Sequence, residues 1–483
     1  MHRIFLTLFG LLIFISCNTE DKNAVLVIKN SDQDFIEITS PINGIILWNN
    51  KKDTIYKNQK KEFVFSKEIN TPEYIEIKIG DQHLKGLLLA KSKVDIIAQD
   101  STFLYEGKNA LGFQLLNDLA RPFRPYDFTM KEYTESVQDS TSRMIIDKVN
   151  LRRTDELQKL KFLLEKGNID NEFYETCKTE IDYYYALKTL QIILAKQNNG
   201  NPINKDLLSL LEVTLKDYPL NLNYKPSAWN SYAQQVLLHK PKYDKKASGS
   251  ISKDSLTKIY QTDGINKFNL ELIFDNNDPQ IVEQVAANYI YTEIIRSKKN
   301  EKSLIEVFED FNERFPKSVF SDYIKPEVNK IRNYQEKIAL DLPENVKFID
   351  DKNITNFSEL IKTLKGQKYY IDVWATWCGP CKREFKYNYE LNALLEKKGY
   401  QKLYLSIDKK ELKDTWIENI KYYDLNGLHL LVSQEFREDF ANNFAVKKGQ
   451  NIIPQYLILD EKGNLITNDA PKPSNLLELE KVL

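Results

Sequence analysis

The chain has 483 residues, 42% hydrophobic and 28% charged, which is the composition of a globular protein and a length of roughly three domains of about 100–200 residues each. Its 68 basic and 69 acidic side chains leave a net charge of −1, so there is no basic excess that would recruit nucleic acid. The four cysteines, Cys17, Cys177, Cys378 and Cys381, are too few for a disulfide-stapled scaffold.

The first 16 residues have the pattern of a signal peptide. After a short basic start, the largely apolar stretch Ile4–Ile15 is too short to span a bilayer as a helix. It ends at Ser16 followed by Cys17, which resembles the lipobox of bacterial lipoproteins. The resemblance implies cleavage before Cys17, a lipid on its sulfur and a lipidated linker over residues 17–23. A cysteine lying by chance at an ordinary cleavage site is the alternative.

Residues 24–110 show strand periodicity. Tyr74–Ile79 alternates with period two and places three isoleucines on one face. Other short apolar runs are separated by Asn, Asp, Lys and Gly: Ala24–Ile28, Gly44–Trp48, Leu87–Ala90, Val94–Ala98 and Phe103–Gly107. We predict an all-β domain, a small antiparallel sheet or sandwich.

Residues 111–338 change to helical periodicity. Apolar side chains recur every three or four residues in two segments, which end at Gly167 and Pro316. The aromatic run Tyr183–Tyr185 fits core packing better than a binding site. Cys177 is alone in this region and is typical of a small buried hydrophobe. We therefore predict an α-helical middle region. The periodic positions are Leu157, Leu160 and Leu164, then Leu304, Phe308, Phe311 and Phe315.

Residues 339–483 alternate strands with helices, which predicts an α/β domain with a mixed sheet. The predicted strands are Lys368–Ala375, Gln401–Ile407, Tyr456–Asp460 and Asn464–Ile466. The predicted helices are Phe357–Leu364, Lys382–Lys397, Lys410–Tyr422, Gln434–Asn443 and Asn475–Val482.

The motif Trp377-Cys378-Gly379-Pro380-Cys381 lies where a predicted strand gives way to a helix. A thiol at a helix N-terminus faces unpaired backbone N–H groups, which favour the thiolate and lower the cysteine pKa to between roughly 3.5 and 7.5. The spacing lets the sulfur of Cys381 reach Cys378, so a mixed disulfide formed on Cys378 can be resolved. Pro380 fits the first turn, where its missing N–H costs little.

Around this motif, Ile371–Cys381 resembles the thioredoxin superfamily, and within it the TlpA/ResA-like thiol–disulfide oxidoreductases. The resemblance implies a thioredoxin-like fold for residues 339–483. Asp372 falls on the buried aspartate of thioredoxin, and Glu384 on a glutamate that tunes the thiols in the ResA-like branch. Asn451–Asp460 resembles the segment with the family's cis-proline, which implies a cis Ile453–Pro454 bond whose backbone faces the disulfide.

The same resemblance implies a substrate surface made of Trp377, Gly379, Pro380, Ile453 and Pro454. It supplies no metal or organic cofactor, only a redox-active disulfide between Cys378 and Cys381. Protein disulfides of the cell envelope would be the substrates, and an upstream thiol protein the electron donor. Lys386 replaces a proline common in the family, which favours a straighter helix. A β-domain ahead of such a module resembles the arrangement in Bacteroidetes lipoproteins.

Several alternatives remain open. The two cysteines could be half of a zinc site or a purely structural disulfide. Asp372 could be a satisfied core carboxylate, Glu384 a solvated helix residue and Pro454 a trans proline in an ordinary loop. For the whole protein, the alternatives are a non-catalytic binding lipoprotein that keeps the module as a scaffold, and a disulfide isomerase.

Overall fold

The protein is described by a computed structural model over residues 22–42, 51–100, 102–119, 121, 131, 134–135, 138, 143–198, 205–261, 264–297, 300–350, 353–364 and 366–483. By its internal contacts the chain divides into two compact units, residues 1–328 and 329–483. The predicted signal peptide, the lipidation site Cys17 and the predicted strand Gly44–Trp48 lie outside the described residues and stay predictions.

The first unit opens with two four-stranded sheets. Their strand orders are β4–β1–β7–β8 and β3–β2–β5–β6, and β1 lies parallel to β7 and antiparallel to β4. The predicted alternation in β5 is confirmed, since Ile75 and Ile77 are fully buried in the core. The described strands are β1 (Asn23–Lys29), β2 (Phe35–Ser40), β3 (Lys51–Tyr56), β4 (Phe63–Glu68), β5 (Glu73–Ile79), β6 (Gln82–Leu88), β7 (Lys93–Gln99) and β8 (Thr102–Gly107).

The strand predicted at Leu87–Ala90 is misplaced. Strand β6 begins five residues earlier, at Gln82, and ends at Leu88, because it forms a hairpin with β5 and pairs Ile79 with Gln82. Gly80 supplies the turn with φ +60°, a left-handed conformation that glycine adopts without strain.

Helices follow the sheets, as the change of periodicity predicts. Leu160, Leu304 and Phe311 are fully buried, and the Gly167 N–H closes a helix end on the Leu164 carbonyl at 2.9 Å. The ring of Phe173 lies in the core shared with the sheets. The described helices are α1 (Ala110–Asp118), α2 (Arg143–Glu165), α3 (Asn171–Asn198), α4 (Lys205–Asp217), α5 (Trp229–Gln234), a π-turn (Gln235–His239), α6 (Lys240–Ala247), α7 (Lys253–Gln261), α8 (Ile265–Phe274), α9 (Pro279–Ser297), α10 (Ser303–Arg314) and α11 (Ser321–Ala339).

The second unit contains a six-stranded mixed sheet of order β14–β13–β10–β11–β12–β9. Strands β10, β11, β12 and β9 are parallel, and β13 is antiparallel to β10. Its strands are β9 (Val346–Phe348), β10 (Lys368–Trp374), β11 (Tyr400–Ser406), β12 (Gly427–Leu431), β13 (Gln455–Leu459) and β14 (Leu465–Thr467). Its helices are α12 (Phe357–Thr363), α13 (Gly379–Glu384), α14 (Asn388–Lys398), α15 (Lys413–Tyr422), α16 (Gln434–Asn443) and α17 (Leu476–Val482).

The helix predicted at Lys382–Lys397 is present, but it is not one continuous α-helix. A 3₁₀ turn at Phe385–Tyr387 separates α13 from α14 although no proline is present. The turn directs the Phe385 ring into the core, where its centroid lies 5.3 Å from that of Trp374 and 5.2 Å from that of Tyr423. Burial of this ring accounts for the break better than backbone chemistry does.

No described helix combines the length and apolar character needed to cross a membrane.

Candidate active site

The motif lies at the junction of β10 and α13, as predicted. Cys378 and Cys381 form a disulfide with a Cα–Cα distance of 5.3 Å. Cys378 occupies the N-cap position of α13, and the Cys381 N–H donates to its sulfur at 3.1 Å. When the disulfide is reduced, an amide donor at this sulfur stabilises the thiolate over the thiol, so Cys378 is suited to be the nucleophile.

The surroundings of the disulfide are asymmetric. Cys378 is 3% exposed and Cys381 fully buried, whereas Trp377 is 62% exposed and Gly379 and Pro380 lie on the surface. Of the two sulfur-bearing residues, Cys378 is thus the one nearer to the exposed surface of the motif.

The predicted cis bond between Ile453 and Pro454 is confirmed. Ile453 packs against the hydrophobic cluster that contains both cysteines. The structure thus brings this predicted segment to the same core as the redox motif.

Asp408, which sequence analysis missed, holds the loop that leads to Cys378. This fully buried carboxylate accepts the Thr376 N–H and the Thr376 hydroxyl, both at 2.8 Å. The Ser406 hydroxyl donates a third hydrogen bond at 2.8 Å. The loop two residues before Cys378 is therefore held by the segment that follows β11.

Asp372 lies on β10 and is fully buried, and neither of its carboxylate oxygens has a hydrogen-bond partner in the described part of the chain. The described residues therefore give this carboxylate no hydrogen-bond donor, which counts against the alternative of a satisfied core carboxylate. Burial raises the pKa of Asp372 to about 7; Lys402 opposes this rise and Glu384 adds to it. A carboxyl with this pKa can take up or release a proton at neutral pH.

Lys402 is a second buried charge at this site that sequence analysis missed. It is 6% exposed on β11, and its ammonium donates to Oδ1 of Asn388 at 2.5 Å. Burial lowers the pKa of Lys402 to about 8, against the attraction of Asp372. Tyr404, the direct cross-strand neighbour of Asp372, accepts a hydrogen bond from Asn388 at 3.2 Å. The charges of Asp372 and Lys402 thus each shift the pKa of the other towards the charged form.

Glu384 is held by the turn before α17. Its two oxygens accept the Ser474 N–H at 2.9 Å and the Ser474 hydroxyl at 3.2 Å, and the Lys472 ammonium lies 3.8 Å away. The side chain is only 12% exposed, so the alternative of a solvated helix residue is wrong. The Tyr370 hydroxyl donates to the Pro471 carbonyl at 2.9 Å. This turn thus closes the side of the site where Asp372 lies.

No group of three or more His, Cys, Asp or Glu side chains suited to a metal ion occurs in the ranges that the structure describes. In the disulfide, each sulfur is bonded to the other, an arrangement that differs from the thiolate ligands of a half-zinc site.

Comparison with known proteins agrees with this geometry. Residues 344–483 match the Redoxin family model. The chain is 36% identical over 66 residues to a thiol-disulfide oxidoreductase ResA of Bacillus cereus, an alignment covering 14% of this chain and 36% of ResA. It is 27% identical over 114 residues to a ResA of Bacillus thuringiensis, covering 22% of this chain and 56% of ResA. The chain therefore spans roughly a third to a half of these relatives.

Solved structures are similar to about a quarter of the chain. One is a thiol:disulfide interchange protein of the thioredoxin family from Chlorobium tepidum TLS, with 18% identity and a TM-score of 0.21. The match covers 25% of this chain and 80% of that chain.

Proposed function

Because residues 344–483 form a TlpA/ResA-like domain of the thioredoxin superfamily, we propose that this protein is a membrane-anchored thiol–disulfide oxidoreductase that reduces protein disulfides in the cell envelope. The observation that carries the proposal is an N-cap cysteine bonded to a buried cysteine, Cys378 and Cys381. The strand that leads to them carries Asp372, a buried carboxyl with no hydrogen bond among the described residues.

The reaction begins with both cysteines reduced. The Cys378 thiolate attacks one sulfur of the substrate disulfide, forming a mixed disulfide and releasing the other substrate sulfur as a thiolate, which takes a proton from water. Cys381 loses its proton and attacks Cys378, which releases the second substrate thiolate. The substrate gains two electrons, and the Cys378–Cys381 disulfide is left to be reduced by an upstream thiol protein.

Asp372 is the base that accepts the Cys381 proton in this scheme. Support comes from its buried position with no competing hydrogen bond within the described residues and from its pKa of about 7. Glu384 tunes the same reaction through its repulsion of the Asp372 carboxylate. Trp377, Gly379, Pro380, Ile453 and Pro454 form the substrate surface. No organic cofactor or metal enters any step.

The anchor and location rest on the sequence. The apolar leader and the Ser16–Cys17 junction support export and a lipid on Cys17. The Gly379–Pro380 dipeptide favours the reductase direction, since it resembles that of reducing thioredoxins.

The experiment is reduction of insulin disulfides at pH 7.5 with dithiothreitol as the donor. We expect Cys378→Ser to lower the catalysed rate at least ~1,000-fold, because the attacking thiolate is gone. Cys177→Ala is the matched control, since Cys177 is also buried but lies in the first unit. Unchanged turnover in Cys378→Ser would refute the proposed function.

A further inference from the structure

A pocket of about 450 Å³ lies in the second unit away from the redox motif. It is lined by Phe348, Ile349, Lys410, Lys413, Trp416, Ile417 and Leu431. The proposed reaction uses none of these residues, and sequence analysis singled out none of them.

The pocket lies at the same end of the sheet as Cys378. Strands β10, β11, β12 and β9 are parallel, so their carboxyl ends form one edge. Cys378 follows the end of β10, and Leu431 and Phe348 are the last residues of β12 and β9. Two to three strand spacings of about 4.8 Å separate the end of β10 from the ends of β12 and β9, or roughly 10–14 Å. An extended peptide covers that distance with about three or four residues.

The walls of the pocket are apolar and partly uncovered. Phe348 is 45% exposed, and its ring centroid lies 5.3 Å from that of Trp416. An exposed aromatic ring beside aliphatic side chains is a feature of surfaces that receive an apolar group.

The polar groups of the pocket are donors and cations. Lys410 and Lys413 are both exposed at the rim. Lys410 also faces Glu435, whereas Lys413 lines the pocket with its side chain exposed. Trp416 is 3% exposed, and its indole N–H has no acceptor among the described residues. The positive charges of Lys410 and Lys413 at the rim are complementary to an anion.

We propose that this pocket binds an acidic, apolar segment of the disulfide-bearing partner protein, three or four residues from the cysteine that Cys378 attacks. This inference rests on the proposed function, because the bound segment belongs to a substrate of that reaction. Binding of the segment itself requires no redox step and can be measured separately. The apolar side chain enters between Phe348 and Ile417, and the neighbouring carboxylates face Lys410 and Lys413. The site would thus select oxidised substrates by charge in addition to the disulfide.

The binding test uses fluorescence anisotropy with two labelled peptides that lack cysteine, one carrying Phe-Asp-Glu and one Phe-Lys-Lys. We expect the wild-type protein to bind the acidic peptide at least tenfold more tightly than the basic one. The double variant Lys410→Glu, Lys413→Glu should lose that preference, and the neighbouring exposed Lys409→Glu should keep it within twofold. Equal affinity of the wild-type protein for both peptides would overturn the proposal.

A kinetic test separates this proposal from the proposed function. Disulfide-linked versions of the two peptides are compared with hydroxyethyl disulfide, which has no arm to reach the pocket. We expect the double variant to lower kcat/KM about tenfold for the acidic substrate only. If the wild-type protein reduces hydroxyethyl disulfide but reduces the two peptide disulfides equally well, the proposed peptide site is overturned and the redox function stands. Absence of all reduction with preserved peptide binding would overturn the redox function alone.

Sedimentation velocity tests whether a second copy of this chain occupies the pocket instead of a substrate segment. A wild-type dimer that dissociates in the same double variant would assign the pocket to a second copy of this chain and contradict our assignment.

Discussion

Two fully buried carboxylates, one in each unit, differ in their hydrogen bonding. Glu180 in the first unit accepts the Ser227 N–H at 2.9 Å, the Ser227 hydroxyl at 2.6 Å and the Tyr224 hydroxyl. Asp372 in the second unit has no hydrogen bond to either oxygen within the described residues. A buried acid with all these donors is part of the packing, whereas one left without them is available for proton transfer.

The largest effect expected from this comparison is on stability. Glu180→Ala leaves the Ser227 N–H and hydroxyl and the Tyr224 hydroxyl without their buried acceptor, so we expect a loss of about 3 kcal/mol in unfolding free energy. Urea denaturation measures it, and insulin reduction by the folded variant should stay within twofold of wild type. A variant as stable as the wild-type protein would show that these hydrogen bonds contribute nothing net.

The pH dependence of stability should reveal Asp372. Its pKa is raised from 3.8 to about 7, so the folded state holds the proton more tightly than the unfolded state. The stabilisation is complete below about pH 4 and is lost as the pH rises through 7. Relative to wild type, Asp372→Asn should therefore gain about 1–3 kcal/mol in unfolding free energy between pH 5 and pH 8. The exposed Asp469→Asn is the control, and an equal pH slope in all three proteins would contradict the raised pKa.

The rate effect of Asp372 is smaller but more specific. As a general base, Asp372 should make resolution of the mixed disulfide faster as the pH rises through about 7. Asp372→Asn should slow that step about tenfold at pH 8 and remove the rise. Stopped-flow fluorescence of Trp377 follows the step. A variant that keeps the wild-type pH profile would show the carboxyl to be structural.

How far the sequence predicts the site depends on how local each contact is. Two predictions were confirmed: the placement of the Cys378–Cys381 pair and the cis Ile453–Pro454 bond. Both depend on residues within a short motif. Lys402 was missed because its relation to Asp372 depends on the pairing of β10 with β11, a register that the apolar pattern of either strand does not specify. Ser474 was missed because it contacts Glu384 across 90 residues of sequence.

The same reasoning applies to the fold. Long periodic segments such as α2 and α10 were predicted correctly, since their apolar faces are read directly from the spacing. The short strands β9 and β12 were not predicted. Gly427 at the start of β12 is explained only by the structure, because a Cβ there would lie 2.6 Å from the Lys402 carbonyl oxygen. The pocket beside β9 could not be predicted either, because its lining residues come together only when β9 and β12 pair in the folded structure.

The central claim is that Cys378 and Cys381 form a reversible reducing couple. The most direct test is its reduction potential in the purified protein, measured by equilibration with glutathione and dithiothreitol buffers and followed by Trp377 fluorescence and thiol alkylation. Our account predicts a value near about −270 mV, as in thioredoxin. A value near about −120 mV, as in DsbA, would contradict the reductase direction, and a disulfide that does not equilibrate would contradict the redox function itself.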